Sequence, residues 1–244
     1  MTPTGYRLAI ACLILLPPNC LGEPLLWGYS PSDPPPYVQL KGNDLQPSLT
    51  REIGEAAAAA AGREVSFVAT PNNRIDEALA SGRIDIICNT LPEWLSEPNQ
   101  LLWTESLYDD ADVVITRQTQ PAPHSLADLQ DAIVGTTLGY HYSDSVADAF
   151  NRQAMIRHDV RDLPTRLRML ERERLDAVID LRRAVEHLLP DAQSAFHISS
   201  WEVERFALRC SLGNPQDSDS RKLAALLNEM IASGEIRQIV ERFE

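Results

Sequence analysis

The chain has 244 residues, 35 acidic against 22 basic, and a formal charge of -13. That acidity excludes nucleic acid and anionic membrane surfaces as partners, because both are gripped through basic patches. The five histidines (His124, His141, His158, His187, His197) show no metal-ligand spacing, so no metal and no other cofactor is expected.

Arg7 precedes an apolar run at 8–16, then Pro17-Pro18 and a small-residue cleavage candidate near Cys20-Leu21-Gly22. This reads as a secretory signal peptide over residues 1–22, since the run is too short to span a bilayer. Lipoprotein processing at Cys20 is the alternative, but Asn19 is a poor residue before a lipidated cysteine. Removal of the signal leaves about 222 residues and a charge of about -14, enough chain for one or two compact domains. Cys88 and Cys210 then remain, an even pair that can form a disulfide in an oxidising compartment. The mature protein is expected to be secreted and monomeric.

LLWGY (25–29) reads as a first strand, leading into the proline-rich SPSDPPPY (30–37). Those prolines forbid both helix and sheet ladder, so a rigid loop presents Tyr29 and Tyr37 at the strand's carboxyl end. Ser48 or Thr50 caps an alanine-rich helix at 51–61, closed by Gly62. EVSFVAT (64–70) alternates as a second strand. In TPNNRIDEALASGRIDIICNT (70–90), Ile75, Ala78 and Leu79 fall at helical spacing, with Asp76 and Glu77 in the first turn. A helix at 74–81 therefore stops at Gly82, and a buried strand follows at 84–88. Helix feeding buried strand marks a parallel α/β sheet, which binds ligands outside its strands' carboxyl ends. The polar residues after this strand, Asn89 and Thr90, are candidate site residues.

Residues 92–100 read as irregular, 112–117 as an exit strand, and 118–124 as a linker. A second unit follows: a short helix at 125–130, a strand at 132–137, a helix from Ser143, a weak strand at 155–160, a helix at 163–173, a buried strand at 175–179 and a helix at 184–189. It repeats the logic of the first, with GRIDII (82–87) answered by RLDAVI (174–179). Two α/β units of like build imply two lobes with a cleft between them. A strand at 204–211 and amphipathic helices at 223–233 and 236–243, broken at Gly234, complete the chain.

PPPYV (34–38), EALASGRIDIICNT (77–90), LADLQDAIVGTTLGYHYSDSV (126–146), RLDAVIDLRRAVEHLL (174–189) and the ending ALRCSLGNPQ…LAALLNEMIASGEIRQIVERF (207–243) stand in one order. The ordered set resembles the family 3 extracellular solute-binding proteins of amino-acid-type ABC importers. The resemblance implies a two-lobed α/β periplasmic-binding-protein type II fold, each lobe a mostly parallel sheet flanked by helices, with two hinge strands and ligand capture by hinge closure. Lobe 1 would span 23–110 plus 208–244, and lobe 2 111–207. The implied partners are a small-molecule ligand and an inner-membrane ABC permease.

Carried onto this chain, the aromatic flanking the ligand falls at Tyr37, with Tyr29 close by; ordinary loop packing is the alternative. Asn73 and Arg74 stand where the family has a pocket-facing residue, and Arg74 would meet an anionic ligand. Asn89 and Thr90 match the ligand-bonding strand end. Gly139, Tyr140, His141 and Tyr142 replace a Gly-Ser/Thr-Thr turn and, with Trp94, imply a more aromatic pocket. Two departures follow. The arginine that clamps an α-carboxylate is missing from Leu91-Pro92-Glu93-Trp94-Leu95, leaving Arg74 or Arg182 to replace it. The acid that holds an α-ammonium is displaced, Leu181 standing in its place and Asp180 one residue early, which in a strand means the other face. The expected function is binding of a small polar or aromatic solute for an ABC importer rather than catalysis. The alternatives are a cyclohexadienyl-dehydratase-like enzyme, with Glu93 or His141 as the acid, and a solute-sensing accessory protein.

Overall fold

The computed structural model describes residues 23–189 and 195–243; the expected signal peptide lies outside them. In chain order the elements are β1 (Leu25–Tyr29), the small hairpin β2 (Leu40–Lys41) and β3 (Asp44–Leu45), α1 (Leu49–Ala60), β4 (Val65–Ala69), α2 (Ile75–Ala80), β5 (Ile86–Thr90), β6 (Leu102–Trp103) and β7 (Tyr108–Arg117). Then come β8 (Ile133–Thr137), α3 (Asp144–Asn151), β9 (Ile156–Val160), α4 (Leu163–Glu171), β10 (Ala177–Leu181), α5 (Arg182–Leu188), β11 (Phe196–Leu212), α6 (Ser218–Ser233) and α7 (Glu235–Glu241). Short 3-10 turns fill Asn72–Arg74, Pro92–Trp94, Pro98–Gln100 and Leu126–Leu129.

The main sheet runs β4-β1-β5-β11-β7-β10-β8-β9, with β6 added on β11. β1 lies parallel between β4 and β5, and β8 parallel between β10 and β9. The two parallel groups meet through the long antiparallel pair β7 and β11. Both of those strands cross from one half of the sheet to the other. β11 is far longer than the strand expected at 204–211, because its polar first half borrows its regularity from pairing with β7 rather than from its own pattern.

Each half closes in the same way. The Asp85 N–H donates to the Leu26 carbonyl at 2.8 Å, and its carboxylate accepts the Leu26 N–H at 2.9 Å. Asp176 repeats this on Ile133, at 2.8 Å for both bonds. The aspartate shared by GRIDII and RLDAVI therefore ties a helix-to-strand turn to the start of a neighbouring strand. It also delays the two strands, which begin at Ile86 and Ala177, two residues beyond expectation. Asp176→Ala, which leaves the Ile133 N–H without that acceptor, is expected to cost about 1–2 kcal/mol. An unchanged urea midpoint would show that the bond contributes nothing.

The alanine block of α1 serves packing. Ser48 caps the helix by accepting the Arg51 N–H, and Ala57 and Ala58 are buried. At Gly54 a Cβ would stand 2.7 Å from the Phe67 ring and 3.1 Å from Trp27, so only glycine lets helix and sheet approach this closely. Gly234, at φ 83°, ends α6 in the left-handed region and lets α7 fold back. No helix among the described residues is long and apolar enough to cross a membrane.

Candidate functional site

A cavity of about 280 Å³ opens at the carboxyl ends of β1 and β5, facing the turn between β8 and α3. One wall comes from the Ser30–Tyr37 loop, the 72–76 turn and the β5 end; the other comes from Gly139, Tyr140 and His141, with Leu181 at the end of β10. Trp94, on the turn after β5, spans the gap. Its ring meets Tyr140 edge-on at 5.0 Å and Phe206 at 5.4 Å. At Gly139, whose φ is 77°, a Cβ would lie 3.9 Å from the Asn72 Cβ. Residues more than sixty positions apart in sequence thus face each other across one space.

Eight of the residues expected at the site line this cavity: Tyr37, Asn73, Asn89, Thr90, Trp94, Gly139, Tyr140 and His141. The other four do not. Tyr29 is buried, and the alternation of an extended chain gives the cavity to Ser30 instead. Arg74 lies exposed at the end of the 3-10 turn ahead of α2, 3.7 Å from Glu77. Tyr142 is buried in the second half, where its hydroxyl accepts the Thr137 N–H at 2.9 Å and donates to the Ile179 carbonyl at 3.4 Å. Asp180 points into the core against Arg166, while Leu181 next to it faces the cavity. Arg182, the other substitute for the missing arginine, pairs with Glu186 and Glu202 and lines a separate charged groove.

Among the lining residues, Asn89 has most of its polar capacity already committed. It sits at φ 58°, a left-handed position that asparagine tolerates better than most side chains. Its amide donates to the Thr50 hydroxyl at 3.1 Å and accepts from the Tyr108 hydroxyl. Tyr108 stacks on Tyr37, with ring centroids 6.4 Å apart. Asn89 therefore shapes the β5 end and props the Tyr37 wall. Beside it, Cys88 is disulfide-bonded to Cys210 of β11, so the cavity floor is tied covalently to the strand next to it.

Several lining residues lay outside the expected set: Ser30, Asp33, Asn72, Asp76, Ser96 and Leu208 among them. Asp33 had a signal, being the one acid of a proline-locked loop at a strand's carboxyl end. Asp76 was legible only as a first-turn helix acid. The structure adds Ser96, whose N–H and hydroxyl donate to the Asp76 carboxylate at 3.0 and 3.3 Å.

Burial pushes the Asp33 carboxyl up to about 7; nearby Asp180 adds to the rise and a Ser30 hydrogen bond opposes it. Behind the Tyr140 wall, burial raises Asp110 to about 6, and one of its oxygens has no hydrogen-bond partner among the described residues. Asp112 is also driven well upward, by burial first and then by Asp180, Glu204 and Asp110, although the Tyr140 hydroxyl donates to it at 3.4 Å. All three carboxyls hold protons in the folded state that an unfolded chain releases above about pH 4. The folded state thus binds more protons than the unfolded one between about pH 4 and 7, and stability falls as pH rises through that window. The melting temperature is expected to be about 3–6 °C higher at pH 5.5 than at pH 8; a higher value at pH 8 would contradict this. Among the described residues no group of three or more His, Cys, Asp or Glu is placed to hold a metal.

The model of the bacterial extracellular solute-binding proteins, family 3, matches residues 26–244. Among solved structures, an ancestral arginine-binding protein bound to arginine is similar with a TM-score of 0.75 at 18% identity, over 91% of this chain and 98% of that one. The GluR0 ligand-binding core in complex with L-glutamate gives 0.74 at 16%, over 90% and 97%. The Salmonella typhimurium periplasmic binding protein STM4351, described for high arginine specificity, gives 0.71 at 19%, over 91% and 99%. At these identities the likeness establishes the fold, the two-lobed type II periplasmic-binding-protein architecture. No curated protein matches the sequence.

Proposed function

Because the chain belongs to the bacterial extracellular solute-binding proteins, family 3, we propose that it captures a small polar or aromatic solute between two lobes and delivers it to an inner-membrane ABC permease. The observation that carries this reading is the cavity itself, enclosed at strand carboxyl ends with one aromatic wall, Trp94, from the first half of the sheet and another, Tyr140, from the second. A ligand filling that space touches both halves at once, so binding energy favours the arrangement in which they meet. The lobes are 23–110 with 208–244, and 111–207. β7 and β11, which cross between the halves, supply the hinge. The protein acts as a monomer in the periplasm after loss of residues 1–22.

The grip differs from that of an α-amino-acid binder. Among the described residues, neither an arginine nor Asp180 lines the cavity, so the usual clamps for α-carboxylate and α-ammonium have no counterpart in the lining. The reading is tested by a thermal-shift screen of the secreted protein against amino acids, amines, organic acids and aromatic compounds. A ligand that binds only the native state raises the melting temperature by mass action. Trp94→Ala is expected to weaken any solute so found by about 2 kcal/mol, roughly thirtyfold, because a half-buried aromatic anchor of the cavity wall is lost. The bound solute should be recovered chemically unchanged. Chemical conversion of the solute would favour an enzyme instead, and no shift with any class of solute would overturn the reading.

A further inference from the structure

The charge of the cavity is one-sided. Its described lining holds two carboxylates, Asp33 and Asp76, and no lysine or arginine. The start of α2 already carries Asp76 in its first turn as a counter-charge to its backbone N–H groups, held by Ser96. Three rings, Tyr37, Trp94 and Tyr140, stand among the other lining residues. The Tyr37 hydroxyl is buried and has no hydrogen-bond partner among the described residues. Aromatic rings and unpaired carboxylates attract cations. A ligand carboxylate here would lose its water and find negative charge in place of a partner.

Resting on the solute-binding reading, we propose that the cavity selects a small organic cation that carries no carboxylate, its ammonium held by Asp33 among the rings of Tyr37, Trp94 and Tyr140. The other titratable groups around Asp33 are Asp180 and Tyr108, with Tyr37, Asp76 and His141 around the cavity. Asp180 has its own cation in Arg166, and His141 sits exposed at the rim. The raised Asp33 carboxyl fits this role, because a bound cation displaces its proton. Affinity should then fall toward about tenfold per pH unit below about pH 7.

The test uses matched pairs that differ by one carboxylate: phenethylamine and phenylalanine, cadaverine and lysine, agmatine and arginine, titrated calorimetrically into the full secreted protein. At least one amine is expected to bind about tenfold or more tighter than its amino acid. Asp33→Asn should weaken that amine about thirtyfold or more and flatten its pH dependence, with the melting temperature reporting that the variant is folded. An amino acid that binds as tightly as its amine, an amine indifferent to Asp33→Asn, or binding confined to neutral or anionic solutes would each overturn the proposal while leaving the solute-binding reading intact. No binding by any compound of the broader screen would overturn both.

Discussion

Arg166→Ala is expected to destabilise the protein by about 3–5 kcal/mol, the largest single-residue effect outside the disulfide. Arg166 and Asp180 are 1% and 4% exposed, and their side chains are hydrogen-bonded to each other. Arg166 also donates to the Val160 carbonyl at 3.1 Å, and Asp180 accepts the Leu181 N–H at 2.8 Å. Burial nevertheless raises the Asp180 carboxyl above its ordinary range, the arginine opposing the rise. Truncating the arginine leaves that acid buried without its cation, near the phenol of Tyr142. Replacing both partners with apolar residues of similar size, Arg166→Met with Asp180→Leu, should recover most of the loss, because the desolvation penalty disappears with the charges. Urea midpoints of the single and double variants measure this. A single variant within 1 kcal/mol of the parent would show that the pair is solvated in solution.

Loss of the Cys88–Cys210 bridge, by Cys88→Ala with Cys210→Ala, is expected to cost about 2–5 kcal/mol. The bridge closes a loop with a sequence separation of 122 residues, and long loops constrain the unfolded chain most in the chain-entropy account. Both cysteines are buried where β5 meets β11, so the variant also leaves small voids. At roughly 2–4 °C per kcal/mol for a chain of this length, the melting temperature should fall by about 5–15 °C. Thiol reductant should reproduce the fall in the parent protein and leave the double variant unmoved. A parent protein insensitive to reductant after partial unfolding would contradict the prediction.

Much of the architecture is local and therefore written in the sequence. The helix expected at 125–130 is only a 3-10 turn, and α6 starts at Ser218, five residues before the expected 223. Among the described residues, most strands and the other six helices start within a few residues of where period and capping place them. This is because short buried β-branched runs and 3.6-residue apolar spacing bury their own faces. The repeat of GRIDII by RLDAVI, slight as text, marks the same aspartate-to-strand bond in both halves. Part of what was misread depended on partners distant in sequence. The first half of β11 is a strand only because β7 lies beside it. The 3-10 turn ahead of α2 and the exposure of Arg74 follow from how that helix docks, which no local period reports.

The site divides in the same way. That Tyr37 and Asn89, at strand carboxyl ends, would stand at a cleft followed from an α/β sequence, since such sheets open their crevices there; Trp94 and Tyr140 were pointed to by the family resemblance. The family resemblance, carried onto residues 91–95, marked the missing arginine. Whether Asp180 or Leu181 faces the cavity was decided by one residue of strand phase and by a buried arginine 14 positions earlier in sequence. That Asp33 stands as an acid with no lysine or arginine beside it in the cavity was decided by where the proline loop folds and by which arginines found partners elsewhere. Side-chain direction and charge pairing are properties of the folded arrangement, set by desolvation and by contacts between elements far apart in the chain. The sequence by itself determined the elements and their faces; only the tertiary structure decided which charges the cavity would keep.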